Sequence, residues 1–314
     1  MKIQSVFHFG LALLLTLSTS VLAAQDSKTG KSTADSKTAS KAAAKSLHIL
    51  IMDPLAAPLA CDCVQGYAQR KYEELAKFLA VNMKAKVKII WSESFENGLE
   101  KLGGRVDLVI GKHSVVLAHA AEKKVEVKPV AHLTGSDGST TQTGLIVVRR
   151  DDPAVAASDL KGYRIFFGPK DCDEKYKAPM AFIKDLGGEL PKKIETSGAC
   201  SEAATKLLEL DKDTKAAAII SSYAKPLLEG CGTINKGDLR VIGETDKVHF
   251  ITAFANKKLS ADMSKELLAT LMKVGEDVKL IKALETDIGF VEFEELKSKD
   301  DEKKSQESVS VKKN

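Results

Sequence analysis

The chain has 314 residues, with 47 Lys and Arg against 43 Asp and Glu and a formal net charge of +4. The excess lies at the ends: residues 1–24 carry +1, residues 25–46 carry +3 and residues 297–314 carry +2, which leaves the body at −2. That distribution excludes a basic footprint for nucleic acid, and the basic ends read as solvated segments, with weak attraction to a membrane surface as the lesser alternative.

At the N-terminus Lys2 precedes an apolar run over residues 11–17 and then Val21-Leu22-Ala23-Ala24, the pattern of a leader cleaved after Ala23 or Ala24. A membrane anchor needs about 20 apolar residues, whereas this run is shorter and interrupted by Thr16, Ser18, Thr19 and Ser20. No cysteine follows the cleavage site, which argues against a lipid anchor, and no other segment is long enough to span a bilayer. Residues 1–24 are therefore expected to be a signal peptide, and the mature chain is expected to be soluble in the periplasm. Residues 25–46 hold only Gln, Asp, Ser, Lys, Thr, Gly and Ala, with no large apolar side chain to offset the entropy of ordering. They read as a disordered linker, and the charged residues 297–314 read as a disordered tail. About 250 residues remain, enough for two lobes of ordinary size.

The body alternates strand and helix signals. Residues 47–52 form a short apolar run, Tyr72, Leu75, Ala76 and Leu79 recur at helical spacing, and residues 87–91 and 106–110 read as strands, the latter ended by Gly111. A helix over 114–123 precedes a strand at 125–133. The extended residues 144–150 are placed to cross between lobes, and a second cycle follows: a strand at 163–167, a helix near 179–186, a short strand at Ile194, a helix over 201–210 and a strand at 216–220. Residues 249–254 can return to the first lobe, where the amphipathic stretch 261–284 packs outside. The pattern is α/β with a parallel sheet. Lobe one is expected over 47–145 and 246–296, and lobe two over 146–245.

Four segments carry a family resemblance. Tyr67-Ala68-Gln69-Arg70-Lys71-Tyr72-Glu73-Glu74-Leu75 resembles the first helix of the phosphate/phosphite/phosphonate-type periplasmic solute-binding proteins of ABC transporters. Val106-Asp107-Leu108-Val109-Ile110-Gly111, Asp159-Leu160-Lys161-Gly162-Tyr163-Arg164-Ile165-Phe166-Phe167-Gly168 and Ala217-Ala218-Ile219-Ile220-Ser221-Ser222-Tyr223 follow in the family's order. The resemblance implies a two-lobed type II periplasmic-binding-protein fold, with a ligand cleft between lobes joined by two crossing strands. It also implies capture of a small-molecule ligand, by default a phosphonate- or phosphate-like oxyanion, for an ABC permease in the inner membrane.

Ligands of open α/β sheets sit beyond the carboxyl ends of the strands, so the loops at 53–63, 111–114, 136–141, 168–173 and 195–200 should face the cleft. The candidate ligand contacts on and after them are Cys61, Asp62, Cys63, His113, Ser114, Thr140, Lys170, Cys172, Asp173, Ser197, Ser222 and Tyr223. The relatives place a Ser/Thr-rich turn after the first strand of lobe two. This chain has Lys170-Asp171-Cys172-Asp173-Glu174 there, and three acids would repel an anion that Lys170 only partly attracts.

Cys61, Cys63, Cys172 and Cys200 fall on cleft loops, and Cys231 follows a helix of lobe two. Export favours disulfides, with Cys172–Cys200 or Cys200–Cys231 leaving the hinge free, whereas Cys61 or Cys63 bridged to Cys172 would staple the lobes. The other alternative is a thiophilic metal site of Cys61, Cys63 and Cys172, with His113, holding copper or zinc. His113 serves equally as ligand or helix cap, His48, His132 and His249 fit structural strand positions, His119 fits a helix surface, and Tyr72 fits the core. Tyr67 could close one wall of the cleft. No nucleophile elbow, phosphate-binding Gly-rich loop or zinc helix is present, so the chain is expected to be a monomeric binder with no cofactor and no enzymatic step. A periplasmic metal-handling or redox accessory with a cysteine-lined cleft is the alternative function.

Overall fold

The structure is a computed structural model and describes residues 45–60, 64 and 68–296. The leader and tail expectations, residues 25–44 of the expected linker, and Cys61, Asp62, Cys63 and Tyr67 lie outside the described residues, while Ser46, taken as the linker's last residue, is the first of a strand.

The chain opens with β1 (Ser46–Met52), whose alternate side chains divide between two cores as the strand period requires. Leu47, Ile49 and Ile51 join Tyr72, Leu75, Leu79, Leu267 and Leu271 on one side. Leu50 and Met52 join Phe95, Val109, Val116 and Phe254 on the other. The helix α1 (Tyr72–Asn82) buries Tyr72, Leu75, Ala76 and Leu79, one stripe at the i, i+3, i+4, i+7 spacing. Next come β2 (Lys86–Trp91), α2 (Phe95–Lys101), β3 (Leu108–Lys112), α3 (His113–Glu122) and β4 (Val127–Leu133). Near the C-terminal end, β12 (Ile251–Asn256), α7 (Ala261–Met272), α8 (Val278–Ala283) and β13 (Phe290–Glu292) complete this lobe. The sheet order is β13-β4-β12-β3-β1-β2.

The second sheet is built from β6 (Gly144–Arg149), β7 (Arg164–Phe167), β8 (Glu195–Thr196), β9 (Ala216–Ser221) and β10 (Leu239–Glu244), in the order β10-β6-β9-β7-β8. The helices α4 (Lys177–Asp185), α5 (Cys200–Glu209) and α6 (Ala224–Gly230) belong with it. Its two faces again carry separate cores, with Leu145, Val147, Ala218 and Ile220 against α5 and Ile146, Val148, Ile165, Phe167 and Ile219 against Ile183 of α4.

Three expectations change. The sheets are mixed: β12 lies antiparallel between β3 and β4, and β6 lies antiparallel to both β9 and β10. The crossing between lobes is not made by residues 144–150, because β6 is buried along its whole length inside the second sheet. Instead β5 (Thr141–Gln142) and β11 (Val248–His249) pair with each other as a separate two-stranded ladder. The amphipathic stretch 261–284 is broken by a 3-10 turn, Lys273–Glu276, between α7 and α8. The Asp277 carboxylate then restarts the helix by accepting from the Lys279 and Leu280 backbone, a side-chain N-cap. Among the described residues no helix is long and apolar enough to cross a membrane.

Candidate functional site

Between the two sheets lies a cavity of about 530 Å³ whose walls come from both lobes. Lobe one contributes Met52, Leu55, Leu59, Lys112, Val115 and His119; lobe two contributes Cys172, Lys175, the start of α5 and Tyr223. The wall is mostly apolar, and the loop after β7 supplies Asp171, Cys172 and Lys175 to it opposite Lys112 and His119 of lobe one.

That loop folds back on itself, with the Gly168 N–H donating to Lys175 O at 2.9 Å. Two glycines permit the fold. A side chain on Gly144 would strike the Glu174 carbonyl, and one on Gly168 would strike the aliphatic stem of Lys175. Glu174 and Lys175 are thereby pressed inward, 1% and 5% exposed.

Glu174 Oε1 collects donors from both lobes. Lys112 Nζ, at the end of β3, forms an ion pair with it, Ser221 Oγ donates at 2.7 Å and the Cys172 thiol donates at 3.1 Å. Burial is the largest influence on Lys112 and would lower its pKa, yet Glu174, with smaller contributions from Cys172, Tyr223 and Cys200, raises it well above the usual lysine value. Burial likewise pushes Glu174 up most strongly, but Lys112, the Ser221 hydroxyl and Lys175 together hold it below the usual carboxylate range. Both groups are charged. Burial pushes the Cys172 thiol up to about 12 against the pull of Lys112. A protonated thiol explains how Cys172 donates to Glu174 while accepting from Lys112 at 3.0 Å.

Three further contacts join the lobes around this pair. Ser114 Oγ donates to the Asp171 carbonyl at 2.7 Å and accepts from the Asp173 N–H at 3.1 Å. His119 Nε2 meets the Asp171 carboxylate at 2.7 Å, a bond that raises the His119 pKa and lowers that of Asp171. The first cleft loop is braced from beneath: Asp53 Oδ2 accepts from Arg70 Nη1 at 2.8 Å and Tyr72 OH at 2.6 Å, and Arg70 Nε reaches Leu284 O at 3.1 Å. Tyr72 is accordingly a core residue.

Of the candidates in the described residues, the structure brings Cys172 and Tyr223 to the cavity, where Tyr223 stacks on Phe250 at 4.9 Å. Ser114 and Asp173 stand at the contact between lobes, and Asp173 also pairs with Lys177 at 2.8 Å. The other five are not in the cavity wall. His113 packs away from the cavity, where its ring lies 4.6 Å from His249 and 5.2 Å from Phe254 and its Nδ1 meets Thr252 Oγ1 at 3.0 Å. Lys170 is exposed. Ser197 is buried and accepts from Lys206 Nζ at 3.4 Å. Ser222 Oγ accepts from the Thr143 N–H at 3.1 Å, and Thr140 uses its carbonyl to hold Phe250 N at 3.0 Å. The lobe-two disulfides are absent as well, since Cys172, Cys200 and Cys231 are free thiols. Cys172 is therefore not bridged to Cys61 or Cys63 either. Among the described residues no three His, Cys, Asp or Glu side chains gather as a metal site requires. Sequence reasoning missed Lys112, Glu174 and Lys175 as site residues, and the close glycines at 144 and 168 were the available signal.

Two α/β lobes, a paired two-strand crossing and a cavity walled by both lobes define a type II periplasmic binding protein. The chain belongs to the family of phosphonate ABC transporter periplasmic substrate-binding proteins, whose family profile matches residues 65–301. A comparison with curated proteins found no match. Among solved structures it is similar to a Xanthomonas citri protein bound to ATP, with 16% identity, TM-score 0.60 and coverage of 86% of this chain and 98% of that one. A binding protein component of an ABC phosphonate transporter from Pseudomonas aeruginosa gives 13%, 0.59, 80% and 82%. PhnD1 from Prochlorococcus marinus in complex with methylphosphonate gives 14%, 0.58, 84% and 98%.

Proposed function

We propose that this chain is exported to the periplasm and there captures a small oxyanion-bearing solute between its lobes for delivery to an inner-membrane permease, as a monomer and without making or breaking a bond. The observation that carries this reading is the cavity of about 530 Å³ walled by both lobes beside a two-strand hinge, a volume within the range of small-molecule sites. Hinge closure around such a cavity buries the solute and couples binding to the shape that a permease would read. The leader pattern around residues 11–24 supports export.

The test is isothermal titration and thermal-shift measurement on mature protein recovered from periplasm, with inorganic phosphate, phosphite and organophosphonates as probes. Saturable binding of at least one oxyanion at one site per chain, with no metal retained by elemental analysis, is the expected result. Absence of binding to the whole set at millimolar concentration overturns the oxyanion. Stoichiometric copper or zinc would favour metal handling instead.

A further inference from the structure

Among the described residues, one buried cation at the cavity has no carboxylate paired with it. Lys112 is satisfied by Glu174, and Asp171 by His119. Glu93 also lines the cavity, but it is exposed. Lys175 is 5% exposed, lines the same cavity, and its Nζ has one neutral acceptor, the Gly198 carbonyl at 3.2 Å. No carboxylate among the described residues pairs with it, although its field reaches Glu174 and Cys172. A buried ammonium without a counter-charge costs several kcal/mol, and proteins keep one where something else supplies the negative charge.

The surroundings of Lys175 suit an anion. The carbonyl that holds Lys175 belongs to Gly198, just before α5, and Gly198, Ala199, Cys200 and Ser201 line the cavity beside it. The ten-residue α5 follows its N-cap Ala199, which supplies no side-chain cap, and its first turn lies along this space. Glu202 is not in the cavity wall; its carboxylate accepts from the Gly198 N–H at 2.7 Å and from the Ala199 N–H and pairs with Lys206, which leaves the N–H groups of Cys200 and Ser201 beside the cavity. The wider wall is apolar, with Met52, Leu55, Leu59, Val115 and Leu227 among its residues.

We propose that Lys175, with the first turn of α5, is the anion seat of this cleft, that Glu174 reserves Lys112 for the contact between lobes, and that the solute is therefore an oxyanion carrying an apolar substituent. This rests on the solute-capture reading given above. Lys175 sets specificity by supplying the charge, and the apolar wall sets it by rewarding the substituent, since each buried methylene tightens binding about fourfold.

The experiment titrates phenylphosphonate, methylphosphonate and inorganic phosphate into the mature wild-type protein and into Lys175→Met, with the melting temperature of each protein measured without ligand. Wild type is expected to bind phenylphosphonate about tenfold or more tighter than methylphosphonate. Lys175→Met should lose about tenfold or more for both phosphonates, as removal of a charged hydrogen-bond partner does, while melting at the wild-type temperature or above it. Undiminished binding by Lys175→Met overturns the seat while leaving solute capture intact. A Lys175→Met protein that melts lower or fails to fold also overturns it, because the ammonium would then serve the fold. Equal affinity for phenylphosphonate and phosphate overturns the apolar substituent, and no binding of any probe by wild type sinks this inference together with the function it rests on.

Discussion

Lys112 and Glu174 form an ion pair that is 7% and 1% exposed and spans the two lobes. Such a pair gains its Coulomb energy only after a large desolvation cost, so breaking it and deleting it have different consequences. Glu174→Ala leaves the Lys112 ammonium buried with a neutral thiol as its remaining close acceptor, and urea denaturation should show a loss of about 3 kcal/mol. The joint replacement Lys112→Met with Glu174→Met removes both charges and should recover most of that loss. A double variant as unstable as Glu174→Ala would mean that the pair adds net stability of its own. This part of the site was hidden in the sequence by its own composition. Lys170-Asp171-Cys172-Asp173-Glu174 reads as an acidic loop that repels anions, yet Asp171 is neutralised by His119, Asp173 by Lys177 and Glu174 by Lys112. Two of those three partners come from the other lobe, and no local pattern announces contacts 52 and 62 residues away.

At the scale of elements, the junction of β3 and α3 sends three consecutive side chains to three places: Lys112 to the ion pair, His113 to a histidine cluster, and Ser114 to the facing loop. In that cluster His113, His132 of β4 and His249 of the crossing strand β11 pack together with Phe293. Thr252 bridges His113 and His132 at 3.0 and 3.1 Å. Burial, reinforced by the neighbouring rings, lowers His113 and His132 to about 4, and burial lowers His249 as well. Glu295, 3.6 Å from His249, is the acid facing the cluster and is exposed. Because the folded pKa values lie below the ordinary value of about 6.5, the unfolded chain takes up protons first. Stability from the neutral cluster is complete above pH 6.5 and drains away as pH falls towards 4. The melting temperature should fall from pH 7 to pH 5, and His113→Gln with His132→Gln should flatten that slope; a slope unchanged in the double variant would place the acid sensitivity elsewhere. The alternation of strands and helices was legible because buried strands and amphipathic helices carry period-two and period-3.6 patterns. The direction of β6 and β12 was not, because a buried apolar strand has the same composition whichever way it runs. Nor could the packing of His113 on His249 be read, since a residue at a strand's end can turn either way.

For the whole molecule the question is what holds the lobes together. Besides the ion pair, the described contacts across the cleft include Ser114 with Asp171 and Asp173, His119 with Asp171, Lys112 with Cys172, and Tyr223 stacked on Phe250. The hinge itself is short, two residues from each of β5 and β11, so closure depends on these contacts and on the solute. Of them, His119 with Asp171 is the one that holds an imidazole, a group whose ordinary pKa is about 6.5. Asp171 raises the His119 pKa, first through their hydrogen bond, and is itself lowered by it. Closure energy from the pair is therefore complete below the ordinary histidine value of about 6.5 and is lost as pH rises through the raised one. This runs opposite to the cluster of His113, His132 and His249, which favours high pH. The two effects separate by observable, since the cluster lies wholly within lobe one and its crossing strand and acts on unfolding, whereas His119 acts on opening. Small-angle scattering on ligand-free protein should show a larger radius of gyration at pH 9 than at pH 6 for wild type. His119→Gln should hold one radius across that range, because glutamine keeps a hydrogen-bond donor but cannot titrate. A variant that still expands with pH would assign the opening to some other group, and a wild type that does not expand would mean that Lys112 with Glu174 is enough to keep the cleft shut.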